Sequence, residues 1–181
     1  MMQPELPELL LIPPMEEDEK AVLDYREEHF AVGENELHGA CMLESIASFS
    51  DWLRRVRGNR RAETVFPPDW SPTDMMLVRR TSDRRLIGVV DVRHRLTEAL
   101  RDFGGNIGYG VRPSERGKGY ATEILRLALG HARRLGLREV LISCKQTNVA
   151  SRRVIEKNGG ILLRNFIFPD GKPSHMFLIR L

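Results

Sequence analysis

The chain has 181 residues, of which 41% are hydrophobic and 29% charged, values ordinary for one globular domain with a sizeable core and too few residues for a second. No apolar run approaches the roughly 20 residues of a membrane-spanning helix, and Met1 to Pro14 has no basic region ahead of its apolar run, so it does not read as a signal peptide. The formal net charge of +3 is unevenly spread, because residues 1–37 hold eleven acids and two bases and leave +12 for the rest. That basic body is not interleaved with aromatics as a single-strand binding surface would be, so the expected partner is a small polyanion, with no nucleic acid and no membrane.

Glu8 to Ile12 is a short apolar run closed by Pro13-Pro14 and reads as an opening strand. Helical spacing of Val22, Tyr25 and His29 predicts a helix from Glu16 to about Val32, with acids in the first turn where the helix dipole favours them. The acids of this segment read as a solvated helix face, with attraction of a cationic substrate as the sharper alternative. A second helix is predicted from Cys41 to Val56, carrying Ile46, Phe49, Trp52 and Leu53 toward the core. Strands follow at Met75–Arg79 and Leu86–Arg93, joined by the turn Thr81 to Arg84. Leu96 to Arg101 reads as a turn or short helix, and Ile107 to Val111 as a strand ended by Pro113. The strongest helix signal runs from Gly119 to Leu135, with Ile124, Leu125, Ala128, Leu129 and Ala132 on one face and Gly136 as its stop. Val140 to Cys144 is a continuous apolar strand, the pattern of a strand covered on both faces. A short helix from Asn148 to Lys157 ends at Gly159-Gly160, and strands at Ile161–Phe168 and His175–Leu181 flank the turn Pro169 to Lys172. The order β-α-α-β-β-β-α-β-α-β-β describes an α/β domain with a mixed sheet.

Cys41 and Cys144 are far apart and lack metal-ligand spacing. They read as core thiols in a reducing, cytoplasmic compartment. His29, His38, His131 and His175 form no metal-ligand grouping, and no metal is expected.

The informative stretch is Gly108-Tyr109-Gly110-Val111-Arg112-Pro113-Ser114-Glu115-Arg116-Gly117-Lys118-Gly119-Tyr120-Ala121. A strand ends, a two-glycine loop follows, and a long helix begins at once. The free N–H groups of a first helical turn carry partial positive charge and attract an anion. Gly117 and Gly119 allow phosphate oxygens close to the backbone, and Arg116 and Lys118 add charge. The combination suits a pyrophosphate. A Walker loop is absent, and the G-K-G-Y-A spacing lacks the second half of a dinucleotide fingerprint. An ordinary tight strand-to-helix turn remains the competing reading of the loop by itself.

Arg116-x-x-Gly119-x-Ala121 resembles the (Gln/Arg)-x-x-Gly-x-(Gly/Ala) motif of the GNAT N-acetyltransferase superfamily. The strand Tyr109-Gly110-Val111 with Pro113, the helix that follows, and Asn148-x-x-Ser151-x-x-x-Ile155-Glu156-Lys157-x-Gly159 agree with it. The resemblance covers roughly Met75 to Phe166, and the amino-terminal third by element order only. More narrowly, Gly88 to Leu96 together with Gly105 to Ala121 is similar to an uncharacterised bacterial branch of predicted acetyltransferases.

The resemblance implies a single GNAT-like domain over residues 1–181, with a mostly antiparallel sheet flanked by helices. It implies acetyl-CoA held between two splayed parallel strands, here Ile107–Val111 and Val140–Cys144. The backbone of Tyr109, Gly110 and Val111 would bond the pantetheine, and one of those N–H groups would hold the developing oxyanion. Gly117, Lys118, Gly119, Tyr120, Ala121 and Thr122 would take the pyrophosphate beside Arg116, Asn148 and Ser151 would complete the coenzyme site, and Arg152 or Arg153 would reach the adenosine phosphate. The family's general-acid tyrosine falls at Ile155 and an acidic residue of some members at Ser143, so neither role is filled there. Candidate catalytic residues are Asp91 and His94 as base and Tyr109 as a group orienting the thioester. On a regular strand Asp91 and His94 point to opposite faces. Trp52 and Trp70 are candidates for the acceptor pocket. The implied function is transfer of acetyl from acetyl-CoA to an amine of a small molecule or peptide in a ternary complex. The alternatives are a non-catalytic acyl-CoA sensor and a nucleotide-binding domain unrelated to CoA. A homodimer is left open.

Overall fold

The structure is a computed structural model that describes residues 8–68 and 70–181; of the stretch Met1 to Pro14 weighed as a signal peptide, Met1 to Pro7 lies outside them. Among the described residues seven strands and four α-helices follow in the order β1 (Leu9–Ile12), α1 (Glu19–Ala31), α2 (Phe49–Gly58), β2 (Thr73–Arg80), β3 (Leu86–Arg93), β4 (Ile107–Val111), α3 (Tyr120–Arg134), β5 (Glu139–Lys145), α4 (Val149–Lys157), β6 (Ile161–Ile167) and β7 (Pro173–Arg180). The strands form two antiparallel half-sheets, β1-β2-β3-β4 and β5-β7-β6.

Period-2 alternation along β2 and β3 sends side chains to two separate cores. Met76, Val78, Val90 and Val92 pack with Ile124, Leu125, Ala128 and Ala132 of α3. Met75, Leu77 and Val89 pack on the opposite face with Val22 and Tyr25 of α1 and Trp52, Leu53 and Val56 of α2. The sheet is thus sandwiched between α3–α4 and α1–α2. No helix among the described residues is long and apolar enough to cross a membrane.

The uneven charge is resolved inside the molecule. Acids of the amino-terminal segment pair with bases of the body: Glu16 with Arg57, Asp18 with Arg79, Glu28 with Arg112, Glu34 with Arg116 and Glu36 with Lys145. The segment expected to be a solvated acidic face is therefore in good part an ionic contact.

Three elements differ from the sequence reading. The helix expected from Cys41 begins only at Phe49, because Cys41 and Met42 hold φ of 50° and 62°, in the left-handed region that a right-handed helix cannot use. Its true start is Ser48, whose side chain accepts from Asp51 N, a cap that satisfies one free amide. The turn or short helix expected at Leu96–Arg101 appears later, as a π-helical turn at Leu100–Gly104. Strand β5 is not covered equally on both faces: Val140, Ile142 and Cys144 are buried while Leu141 and Ser143 are half-buried.

Candidate functional site

The sheet divides between β4 and β5. Asn106 closes one end of the gap, donating from its backbone N to Leu141 O at 2.6 Å and accepting from Leu141 N on Oδ1 at 2.9 Å. A single antiparallel bridge joins Gly105 to Ile142. Beyond it no ladder links β4 to β5 among the described residues, so the expected parallel pair stands open rather than hydrogen-bonded.

The β4 register decides which of its amides are free. Asp91 pairs with Gly108 and Val89 with Gly110, and Arg112 N donates to Ile87 O at 2.8 Å. Alternate residues of an antiparallel strand bond in opposite directions, so Gly108 and Gly110 face β3 while Tyr109 and Val111 face the gap. The same alternation on β5, set by Gln146 N on Pro173 O, turns the backbone of Ser143 toward the gap. The connection after α1 lies directly on β4: a Cβ on Gly39, at φ +75°, would sit 2.6 Å from Gly108 O. A Cβ on Gly110 would lie 2.8 Å from Tyr25 Oη. Side chains are excluded at both positions.

The gap leads to the glycine loop. Pro113–Glu115 forms a 3-10 turn, Gly117 and Gly119 take φ of 76° and 88°, and α3 starts at Tyr120. Among the described residues the amides of Gly117, Lys118, Gly119, Tyr120 and Ala121 have no acceptor, whereas Thr122 N closes the first turn on Gly119 O at 3.1 Å. Unpaired N–H groups at a helix start carry partial positive charge, the arrangement that attracts an anion. The side chains of the loop are bound within the protein. Arg116 forms a bidentate pair with Glu34 at 2.6 and 2.7 Å, and Lys118 Nζ reaches Glu115 at 2.9 Å. Arg116, above all, holds the Glu34 carboxyl at about 2. Burial of Glu115 opposes its ionisation, but Lys118, Arg80 and Arg85 outweigh it and keep its pKa below the usual range. Tyr120 is buried, with Arg80 Nη1 donating to its hydroxyl at 3.0 Å.

A family model described as "Acetyltransferase (GNAT) domain" matches residues 8–161. The chain belongs to the GNAT acetyltransferase family. No curated protein sequence matches it significantly. Solved structures similar in fold include a GNAT-family acetyltransferase from Bacillus anthracis, at 20% identity and TM-score 0.65 over 97% of this chain and 96% of that one. A ribosomal-protein alpha-N-acetyltransferase in complex with coenzyme A is 19% identical, with TM-score 0.67 over 96% and 94% of the two chains. The protein yncA from Salmonella typhimurium, described as a putative acetyltransferase and solved with acetyl-CoA, is 14% identical, with TM-score 0.63 over 96% and 94%.

At the family's tyrosine position, Ile155 is fully buried against Gly160. A different hydroxyl reaches the same helix face. Tyr109 Oη lies 2.9 Å from Ser151 Oγ, and Ser151 is one helical turn before Ile155. Burial pushes the Tyr109 hydroxyl up to about 12, which keeps it protonated at neutral pH. Asn148 caps α4, its side-chain oxygen accepting from Ser151 N at 2.9 Å. Arg152 is paired with Glu156 at 2.8 Å and Arg153 is exposed.

Asp91 and His94 are separated by the sheet. Asp91, 5% exposed, accepts from Gly108 N at 2.9 Å and lies 3.3 Å from Arg93 Nη2, on the α1–α2 face. His94 turns to the α3 face, with Nε2 3.3 Å from Asp74, which His131 also meets at 2.8 Å. The structure brings Tyr109, Val111, Asn148, Ser151 and the loop to one gap, turns the backbone of Gly110 to β3 instead of the gap as expected, places Asp91 against its α1–α2 side, and leaves His94 away from it. Trp52 is fully buried and donates to Ala40 O at 2.8 Å, which anchors the connection over β4, while Trp70 is at the surface. Burial pushes the Cys144 thiol up to about 11, a poor state for a nucleophile. No group of three or more His, Cys, Asp or Glu among the described residues is disposed to hold a metal. Glu34, Asn106 and Tyr25 were not legible as site residues: Glu34 and Tyr25 are brought in by packing of the α1 layer and Asn106 by its bonds across the gap to Leu141, contacts that leave no mark in the surrounding sequence.

Proposed function

We propose that this GNAT acetyltransferase moves the acetyl group of acetyl-CoA to an amine by direct attack in a ternary complex. The observation that carries the proposal is the run of unpaired amides from Gly117 to Ala121, continuous with the unpaired edge of β4. The diphosphate sits on those amides, and the pantetheine adds to β4 as a further strand would. The amide of Tyr109 or Val111 polarises the thioester carbonyl and stabilises the oxyanion, worth about 2.7–4 kcal/mol for one donor. The neutral amine attacks the carbonyl carbon, the C–S bond breaks, the thiolate takes its proton from Tyr109 Oη, and water returns a proton to the phenolate so formed. Tyr109 thereby stands in for the tyrosine missing at position 155, supported by its bond to Ser151. Asp91 holds the Gly108 amide, and the proton lost by the amine passes to water.

A second reading, a non-catalytic acyl-CoA sensor, is favoured by the buried Ile155. One experiment separates them: calorimetric binding of acetyl-CoA, with ATP and NAD as controls, followed by thiol release across a panel of amines. Binding with release supports the transferase, and binding without release for any amine supports the sensor. Stabilisation by ATP or NAD but not by CoA removes both.

A further inference from the structure

The cation of the coenzyme loop is engaged inside the protein. Arg116 donates from Nε to Val111 O at 3.1 Å, from Nη1 to Glu34 Oε1 at 2.6 Å and from Nη2 to Glu34 Oε2 at 2.7 Å. Glu34 lies in the connection after α1, and its Oε2 is 2.7 Å from His29 Nδ1. His29 is 3% exposed and its Nε2 has no partner among the described residues. A buried ring in that setting is neutral and keeps its one proton on Nδ1, where Glu34 accepts it. The line His29–Glu34–Arg116–Val111 O thus ties α1 to the end of β4 and to the first residue of the loop.

A guanidinium fork grips a carboxylate and a phosphate in the same bidentate geometry. Here the fork is filled by Glu34 and the remaining edge by Val111 O. For Arg116 to turn to the diphosphate, Glu34 would have to give up two charge-assisted hydrogen bonds and Val111 O a third. The amides of Gly117 to Ala121, by contrast, are free without any rearrangement.

We infer that Glu34 is a positioning residue for the coenzyme: it holds Arg116 back on β4 and so fixes the loop with its amides, not its guanidinium, presented to the diphosphate. The inference rests on the coenzyme reading above. Glu34 acts through Arg116, so the two are one functional link.

The test is the affinity for acetyl-CoA by calorimetry in the full chain, with the melting temperature recorded for each variant. Glu34→Ala raises Kd about tenfold, the loss expected from one charge-assisted contact, and Glu34→Gln, which keeps the shape and loses the charge, gives a smaller rise. Arg116→Ala raises Kd by a similar factor, and the double variant is no weaker than the worse single one, since the same link is cut twice. A merely structural role would lower melting temperature in each variant and leave the two effects on Kd additive, which overturns the inference. A tighter Kd for Glu34→Ala also overturns it, because Arg116 once released would then be gripping the phosphates. If the alanine variant does not fold, an unchanged Kd in Glu34→Gln overturns it equally. Failure of the wild-type protein to bind acetyl-CoA refutes the coenzyme reading itself, independently of Glu34.

Discussion

Replacing Tyr109 by phenylalanine removes one oxygen atom from the face of α4 and nothing else. The hydroxyl lies 2.9 Å from Ser151 Oγ, so its loss costs stability about 0.5–1.5 kcal/mol, the net worth of one hydrogen bond. In a domain of this size 1 kcal/mol moves the melting temperature about 2–4 °C. Catalysis should suffer more. General acid assistance contributes about 10²–10⁴-fold, and a thiol of pKa near 8.5 leaves tolerably well without it, which places the expected loss in kcat near 10²-fold, or about 2.7 kcal/mol. Ser151→Ala cuts the same hydrogen bond but keeps the acid, so it should match the stability loss and spare most of kcat. The assay is thiol release from acetyl-CoA with the best amine of a panel. Tyr109→Phe with wild-type kcat would refute the proton-donor role. So would an equal loss in Ser151→Ala, which would make the hydroxyl a structural partner only. With its pKa pushed up to about 12, the phenol stays protonated through neutral and mildly alkaline pH. The wild type should therefore show no loss of kcat from this group as pH rises from 7 to 10.

Gly119→Asp places a carboxylate among the loop amides and should abolish acetyl-CoA binding with little change in circular dichroism; retained binding counts against the anion site. Gly39→Ala forces a Cβ to within 2.6 Å of Gly108 O at φ +75°. It should destabilise the fold by roughly 2–4 kcal/mol from left-handed backbone cost and overpacking, measured by urea unfolding; a loss under about 0.5 kcal/mol would show that the loop does not press on β4. Burial of Asp74 opposes its ionisation, but His131, His94 and Arg60 prevail and hold it at about 2 against an ordinary 3.8. A depressed carboxyl stabilises the fold fully above its unfolded pKa and loses that contribution as pH falls through its folded pKa. Acid unfolding of the wild type should therefore steepen between about pH 4 and pH 2, and Asp74→Asn should flatten that limb; identical limbs would deny the ion cluster a role in stability.

The strand ends of β3 and β4, the body of α3 and the glycine loop were legible because their signals are local: hydrophobic period, breakers, and a strand-to-helix switch within a few residues. The resemblance to GNAT proteins rested on the same stretch and was borne out by the family match over residues 8–161. The helix predicted from Cys41 failed because Ile46, Phe49 and Trp52 carry helical spacing through a segment whose backbone turns left-handed at Cys41 and Met42. Hydrophobic spacing reports which side chains are buried, and a packed loop satisfies it as well as a helix does. Strand β5 misled in a related way, since its apolar run reports composition and not which face is covered.

Sequence by itself determined that a glycine-flanked helix start follows a strand near residue 116, because free amides and glycine backbone freedom are properties of a handful of adjacent residues. Tertiary structure decided what surrounds it. Glu34 meets Arg116 from 82 positions away and Tyr109 meets Ser151 from 42, and His94 is separated from Asp91 by the plane of the sheet. These outcomes depend on strand register and on which helix layer covers which face. They are settled by burial of two cores, a cooperative property of the whole chain that no short stretch of it encodes.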